Sequence, residues 1–109
     1  INTIVKQGVL IVRITGEVDM HVVDEFRETV DHALETNGVR YLLLDLKGVT
    51  FIDSSGLGVI LGRYKKLAAQ GGKMLAIGVR PQVRRLFEFS GILKLIKICA
   101  SETEALENV

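Results

Sequence analysis

Apolar positions along the chain change period several times. Ile1–Lys6 and Val9–Ile14 are runs rich in β-branched residues, separated by Gln7-Gly8, and they predict a β-hairpin. Gly16-Glu17-Val18-Asp19 interrupts this pattern and reads as a polar loop. From Val22 the spacing becomes helical, with Val22, Val23, Phe26, Val30, Ala33 and Leu34 on one face. Asn37-Gly38 is a stop signal, because glycine tolerates the left-handed conformation that ends a helix. Tyr41–Leu46 is an apolar run broken only by Asp45, the pattern of a strand covered on both faces.

Lys47–Asp53 predicts a loop, followed by a second helix from about Ser55 to Gln70. Its apolar face comprises Leu57, Ile60, Leu61, Tyr64, Leu67 and Ala68, and Gly71-Gly72 ends it. Met74–Val79 predicts a short strand. Pro81 suits the first turn of a third helix, where its missing N–H costs nothing. That helix turns Val83, Leu86 and Phe87 inward and stops at Ser90-Gly91. Leu93–Cys99 predicts the last strand, and Ser101 with Glu104 forms a capping box for a final helix.

The order ββαβαβαβα predicts an α/β fold: an N-terminal β-hairpin, then βαβαβα units forming a mixed, mostly parallel sheet with about four helices. Whether the helices cover one face of the sheet or both stays open. The 109 residues are enough for one domain, residues 1–109, and too few for two. A hydrophobic share of 48% excludes disorder. With 14 Lys and Arg against 13 Asp and Glu, the chain lacks the basic excess of a nucleic-acid binder. Without Trp it also lacks an aromatic platform for single strands. No apolar run approaches the ~20 residues of a membrane span, and no secretory signal is visible. Cys99 is the single cysteine, and its distance from His21 and His32 leaves no zinc-ligand spacing. The expectation is a cytoplasmic protein that uses no metal, cofactor, nucleic acid or membrane.

Enzyme signatures fail one by one. No Gly-x-Ser-x-Gly elbow surrounds Ser54 or Ser55, and His32 reads as a solvated helix residue. Gly56-Leu57-Gly58-Val59-Ile60-Leu61-Gly62 puts Leu61 where a dinucleotide fingerprint needs glycine, and these glycines lie inside a helix. A Walker A loop is absent. Asp45, read as the end of a strand, lacks the acidic pair that a receiver-type phosphoaspartate would need. Gly58 and Gly62 share a helix face, and glycine there costs ~1 kcal/mol relative to alanine. They serve either close packing on the chain's own sheet or a flat surface for another protein. Cys99 reads as a buried core thiol, and Arg84 and Arg85 as solvated helix residues.

One segment carries chemistry. Asp53-Ser54-Ser55-Gly56 lies where a loop becomes a helix. In one reading Ser54 simply caps that helix. In the other it is a phosphorylatable serine at a helix N-terminus, whose free N–H groups and dipole hold a phosphate without breaking the fold. A phosphate adds a charge of about −1.5 to −2. Beside Asp53, and near Glu17 and Asp19 of a neighbouring loop, it would make that surface strongly negative.

Phe51-Ile52-Asp53-Ser54-Ser55-Gly56-Leu57-Gly58-Val59-Ile60-Leu61-Gly62-Arg63-Tyr64-Lys65 closely resembles the phosphorylation-site segment of the anti-sigma-F factor antagonists of endospore-forming bacteria. These are STAS domains, named for sulfate transporters and anti-sigma antagonists. Thr15-Gly16-Glu17-Val18-Asp19 is similar to the family's Thr-Gly-Glu-Leu-Asp loop. Arg84-Arg85-Leu86-Phe87, followed by Ser90-Gly91, is similar to its Lys-Arg-Leu-Phe and Ser-Gly segment. The resemblance spans essentially the whole chain. The departures are Met20 where a His is usual and Phe51-Ile52 where Phe-Met is usual.

The resemblance implies strands arranged in sequence order after an N-terminal hairpin. It implies a binding protein rather than an enzyme, with no catalytic residue of its own. It makes Ser54 the phosphorylated serine and the anti-sigma factor, a dimeric ATP- or ADP-bound serine kinase, the phosphorylating partner. The unphosphorylated antagonist would bind that kinase and release the sporulation sigma factor, and a PP2C-type phosphatase would reverse the modification. The expected partner-binding face combines Glu17, Asp19 and His21 with Asp53, Ser55, Gly56, Leu57 and Gly58. A general stress-response antagonist with another kinase and sigma factor, and a small-ligand-binding STAS domain, are the competing readings.

Overall fold

The computed structural model describes residues 1–109. The chain runs β1 (Asn2–Lys6), β2 (Val9–Val18), α1 (Val23–Asn37), β3 (Tyr41–Ile52), α2 (Ser54–Ala69), β4 (Lys73–Ile77), α3 (Pro81–Ser90), a 3-10 turn (Ile92–Lys94), β5 (Lys97–Cys99) and α4 (Glu102–Glu107). The five strands form one sheet in the order β1-β2-β3-β4-β5. β1 and β2 are antiparallel, and β2 through β5 are parallel. Gln7 and Gly8 both have positive φ, the pairing that a two-residue hairpin turn requires. The predicted α/β architecture and its four α-helices are therefore present.

The open question of coverage has a geometric answer. Parallel strands laid down in sequence order, joined by crossovers of one hand, carry their connecting helices on one face. Accordingly α1, α2 and α3 pack on a single face through Phe26, Val30, Ile60, Leu67, Val83 and Phe87. Strand alternation sends Leu10, Val12, Leu42 and Leu44 to that side and Val9, Ile11 and Leu43 to the other. The second face holds a much smaller cluster, capped by Ala105 of α4. Cys99 lies in this cluster; burial, reinforced by Glu104, pushes its thiol pKa up.

Asp45 also falls on this side. It is buried mid-strand, not at a strand end, with Arg13 Nε 3.3 Å and Lys47 Nζ 3.6 Å from its carboxylate. Glu102 of α4 accepts from Arg13 at 2.6 Å and from Lys6 at 3.1 Å. Asp45 is thus one end of an ionic chain that ties the hairpin to α4.

Several boundaries differ from expectation. β2 continues through the expected loop to Val18, and β3 through the expected loop to Ile52. β4 pairs with β3 only as far as Asp45. Beyond that point β2 and β3 form a two-stranded tongue, from Thr15↔Gly48 to Val18↔Ile52, and at each of two register shifts β3 carries one residue more than β2. The edge of β3 that β4 leaves uncovered is held by α3: Arg80 Nε donates to the Lys47 carbonyl at 2.9 Å and Gln82 Nε2 to that of Thr50 at 3.5 Å. The last strand shrinks to three residues, because Ile92–Lys94 forms a 3-10 turn instead.

On α2 the buried positions are Gly56, Val59, Ile60, Arg63 and Leu67. The predicted face is rotated: Leu57, Leu61 and Tyr64 are half-buried and Ala68 is exposed. The rotation places Arg63 Nε 3.0 Å from Asp31 Oδ1 of α1, an ion pair close in distance but without hydrogen-bond alignment. Lys66 Nζ reaches the second Asp31 oxygen at 2.8 Å. Removing Asp31 would leave the buried Arg63 guanidinium without a counter-charge. This contact links α2 to α1 beside their shared apolar core.

Candidate functional site at the tip of the strand tongue

The tongue ends where α1 and α2 begin, so residues far apart in sequence meet there. The amide of Asp53 donates to the Val18 carbonyl at 3.3 Å, continuing the strand pairing by one residue. Asp53 then leaves the strand and caps α2. Its Oδ1 accepts from the Gly56 amide at 2.9 Å, and its Oδ2 accepts from the Met20 amide at 3.3 Å. One carboxylate thereby joins the β2–α1 loop to the start of α2. Within the loop, Asp19 Oδ1 accepts from the His21 amide at 3.0 Å, and the Val22 amide donates to the Asp19 carbonyl at 3.1 Å. These bonds fold Asp19–Val22 into a turn.

The cap corrects one reading of the motif. Asp53, not Ser54, is the N-cap of α2, and Ser54 is its first helical residue. Because the aspartate takes the capping bond, the Ser54 hydroxyl has no partner in the chain, and the residue is exposed. The Ser54 and Ser55 amides, in the first turn, also lack partners within the chain. An oxygen-rich anion on Ser54 could accept from them.

The structure places the expected partner residues unequally. Glu17, His21, Ser54 and Gly58 are exposed, whereas Asp19, Asp53, Ser55 and Leu57 are half-buried at the same tip. Gly56 is not available for contact. A Cβ there would lie 2.2 Å from the Val18 carbonyl oxygen, so this glycine lets α2 approach β2. Gly58 and Gly62 behave differently, since a Cβ on either meets nothing within 4 Å. The close-packing reading of these two therefore fails.

Sequence reasoning passed over two residues of this surface. Met20 is 64% exposed beside Asp53, and Phe51, opposite Glu17 in the tongue, is 50% exposed. Large apolar side chains left in water beside a polar tip are what interface cores are made from. An apolar residue between Asp19 and His21 was the signal available for Met20. A cleft of about 160 Å³ continues the apolar surface from Phe51 to Val83 and Leu86 of α3.

Comparisons with known proteins identify the family and the fold. The model of the STAS domain family matches residues 1–105. The anti-sigma F factor antagonist of Paenibacillus polymyxa is 46% identical over 100 residues, covering 92% of this chain and 86% of the relative. Among solved structures, a putative anti-sigma factor antagonist from Thermotoga maritima superposes with a TM-score of 0.93 at 25% identity, covering 99% of this chain and 92% of that one. The Bacillus cell fate determinant SpoIIAA in its phosphorylated form superposes with a TM-score of 0.77 at 30% identity, covering 98% of this chain and 96% of that one. No helix of the present chain is long and apolar enough to cross a membrane. The chain belongs to the STAS domain family and, within it, to the anti-sigma factor antagonists.

Proposed function

We propose that this antagonist is a partner switch controlled by phosphorylation of Ser54. In the unphosphorylated state the tip surface, with Glu17, Asp19 and His21 on one side and Asp53, Ser55, Leu57 and Gly58 on the other, binds an anti-sigma factor and frees the sporulation sigma factor. The same anti-sigma factor, as an ATP-dependent serine kinase dimer, phosphorylates Ser54, and a PP2C-type phosphatase restores the binding form. The observation that carries this reading is the free, exposed Ser54 hydroxyl behind an aspartate that already performs the capping.

The mechanism needs no refolding. Capping by Asp53 does not use the Ser54 oxygen, so phosphorylation removes no bond of the fold. It does add about −1.5 to −2 charge next to the Asp53 carboxylate, on a surface that binding must dry. Burying charge without a partner costs several kcal/mol, and each ~1.4 kcal/mol is tenfold in affinity. Gly58, open to solvent, leaves the helix surface flat beside the serine.

The test is intact mass after incubation with the anti-sigma kinase and Mg-ATP, for the wild type and Ser54→Ala. One added phosphate on the wild type alone is the expected result. Phosphate on both proteins would move the acceptor elsewhere. No phosphate on either, from a kinase active on a control substrate, would reject this kinase and turn the search to stress-response kinases.

A further inference from the structure

The charge of this chain is segregated. Residues 63–97 hold nine of the 14 basic residues and only one of the 13 acidic ones, Glu88. The rest of the chain holds five cations and twelve acids. Because the strands lie in sequence order, the basic segment builds β4, α3 and the turn into β5, and the acidic α1 sits over the hairpin side; the acids at the β5 end come from α4, which packs back on β4 and β5 with Glu104 at the Ala100 amide.

At the basic end lies an edge strand. β5 pairs with β4 on one side only, and no backbone group of Lys97, Ile98 or Cys99 hydrogen-bonds outside that ladder. An edge strand leaves backbone groups open to another strand, though at three residues with Lys97 on it β5 offers only a short stretch. Beside it runs an open groove of about 360 Å³, lined by Arg84, Leu93, Lys94, Leu95, Lys97 and Ile98 among others. Leu95 is 44% exposed, and Lys94 has no carboxylate within ion-pair distance. Arg84 pairs only with the exposed Glu88 of its own helix, at 3.3 Å. Unpaired backbone, apolar walls and three cations meet at one place, some distance along the chain from the Ser54 tip.

We propose that the β5 edge is a second docking site, which takes an extended acidic segment of a partner protein as an added strand. The backbone of β5 supplies hydrogen bonds, the leucines receive alternate side chains, and Lys94, Lys97 and Arg84 select for carboxylates. The choice of an acidic peptide rests on charge complementarity. The groove presents three cations and no acid, and its apolar walls stand beside free strand groups that a simple polyanion would not use.

The experiment is fluorescence anisotropy of the full chain with a labelled decapeptide of alternating glutamate and valine. Saturable binding is expected, and the double variant Lys94→Glu/Lys97→Glu should weaken it at least tenfold. Lys65→Glu, on exposed α2 surface outside the groove, should leave it unchanged. The same peptide with alternate amides N-methylated should lose affinity by a similar factor. Undiminished binding of the methylated peptide would overturn strand addition, as would the absence of any binding. Equal affinity of the charge-reversed and wild-type chains would overturn the groove. Displacement of the peptide by phosphatidylglycerol vesicles with tighter binding than the peptide would replace it with a membrane surface. None of these readouts passes through Ser54, so failure here and failure of the phosphorylation switch remain distinguishable.

Discussion

Ser54 and Ser101 each stand at the start of a helix, yet they are different chemical objects. Ser101 is the N-cap of α4; its hydroxyl accepts from the Glu104 amide at 3.1 Å, and the Glu104 carboxylate reaches back to the Ala100 amide. Ser54 stands one position further in, behind Asp53, and its hydroxyl is idle. A displacement of one residue separates a structural serine from one that can be modified without loss to the fold. A phosphate on Ser101 would have to dismantle a capping box, whereas on Ser54 it meets free amides.

The sharpest test of this contrast is affinity. Phosphorylated Ser54 should weaken binding to the anti-sigma factor about a thousandfold, or about 4 kcal/mol by calorimetry. Ser101→Ala should leave that affinity untouched. If Ser54→Ala binds and Ser54→Asp binds equally well, negative charge alone is not the switch.

Next in size is Gly56→Ala. The new methyl would press on the Val18 carbonyl, a backbone atom that cannot step aside. Urea unfolding should show a loss of about 1–3 kcal/mol. Asp53→Ala should cost about 1–2 kcal/mol, since two amides, Gly56 and Met20, lose their acceptor. It should also accelerate amide exchange at Met20 and weaken partner binding, because the loop is no longer tied to the helix. Ser101→Ala should cost about 1 kcal/mol and do nothing else.

The smallest change has the opposite sign. Gly58→Ala fills open space in an exposed helix, so thermal melting should show a gain of up to about 1 kcal/mol. If Gly58 is the flat contact inferred here, the same variant should bind the anti-sigma factor more weakly. A stabilised variant with full affinity would remove Gly58 from the interface.

Much of this was readable one-dimensionally. The hairpin turn, the glycine stop of α1, Pro81 at the start of α3 and the capping box of α4 are local events, governed by residues within a few positions of one another. The tongue was not readable. Glu17, Lys47, Gly48 and Thr50 are polar or small, and nothing in their own neighbourhood demands a strand. They are extended because β2 and β3, some thirty residues apart, go on pairing after β4 has ended. The face of α2 was misplaced for a related reason. Arg63 is buried because Asp31 of another helix receives it, and no periodicity of apolar residues records that partner.

The motif Asp53-Ser54-Ser55-Gly56 is enough to say that a helix starts there and that a serine is near its end, since capping depends on residues three apart. Which of those residues caps, which serine is left idle and which glycine is buried were decided only when Val18 came to lie beside Ile52. That alignment offers the Val18 carbonyl to the Asp53 amide and the Asp53 carboxylate to Met20. It leaves no room for a side chain on Gly56. Local spacing determines the elements and their ends, whereas a site assembled from two distant segments exists only once the sheet has set their register.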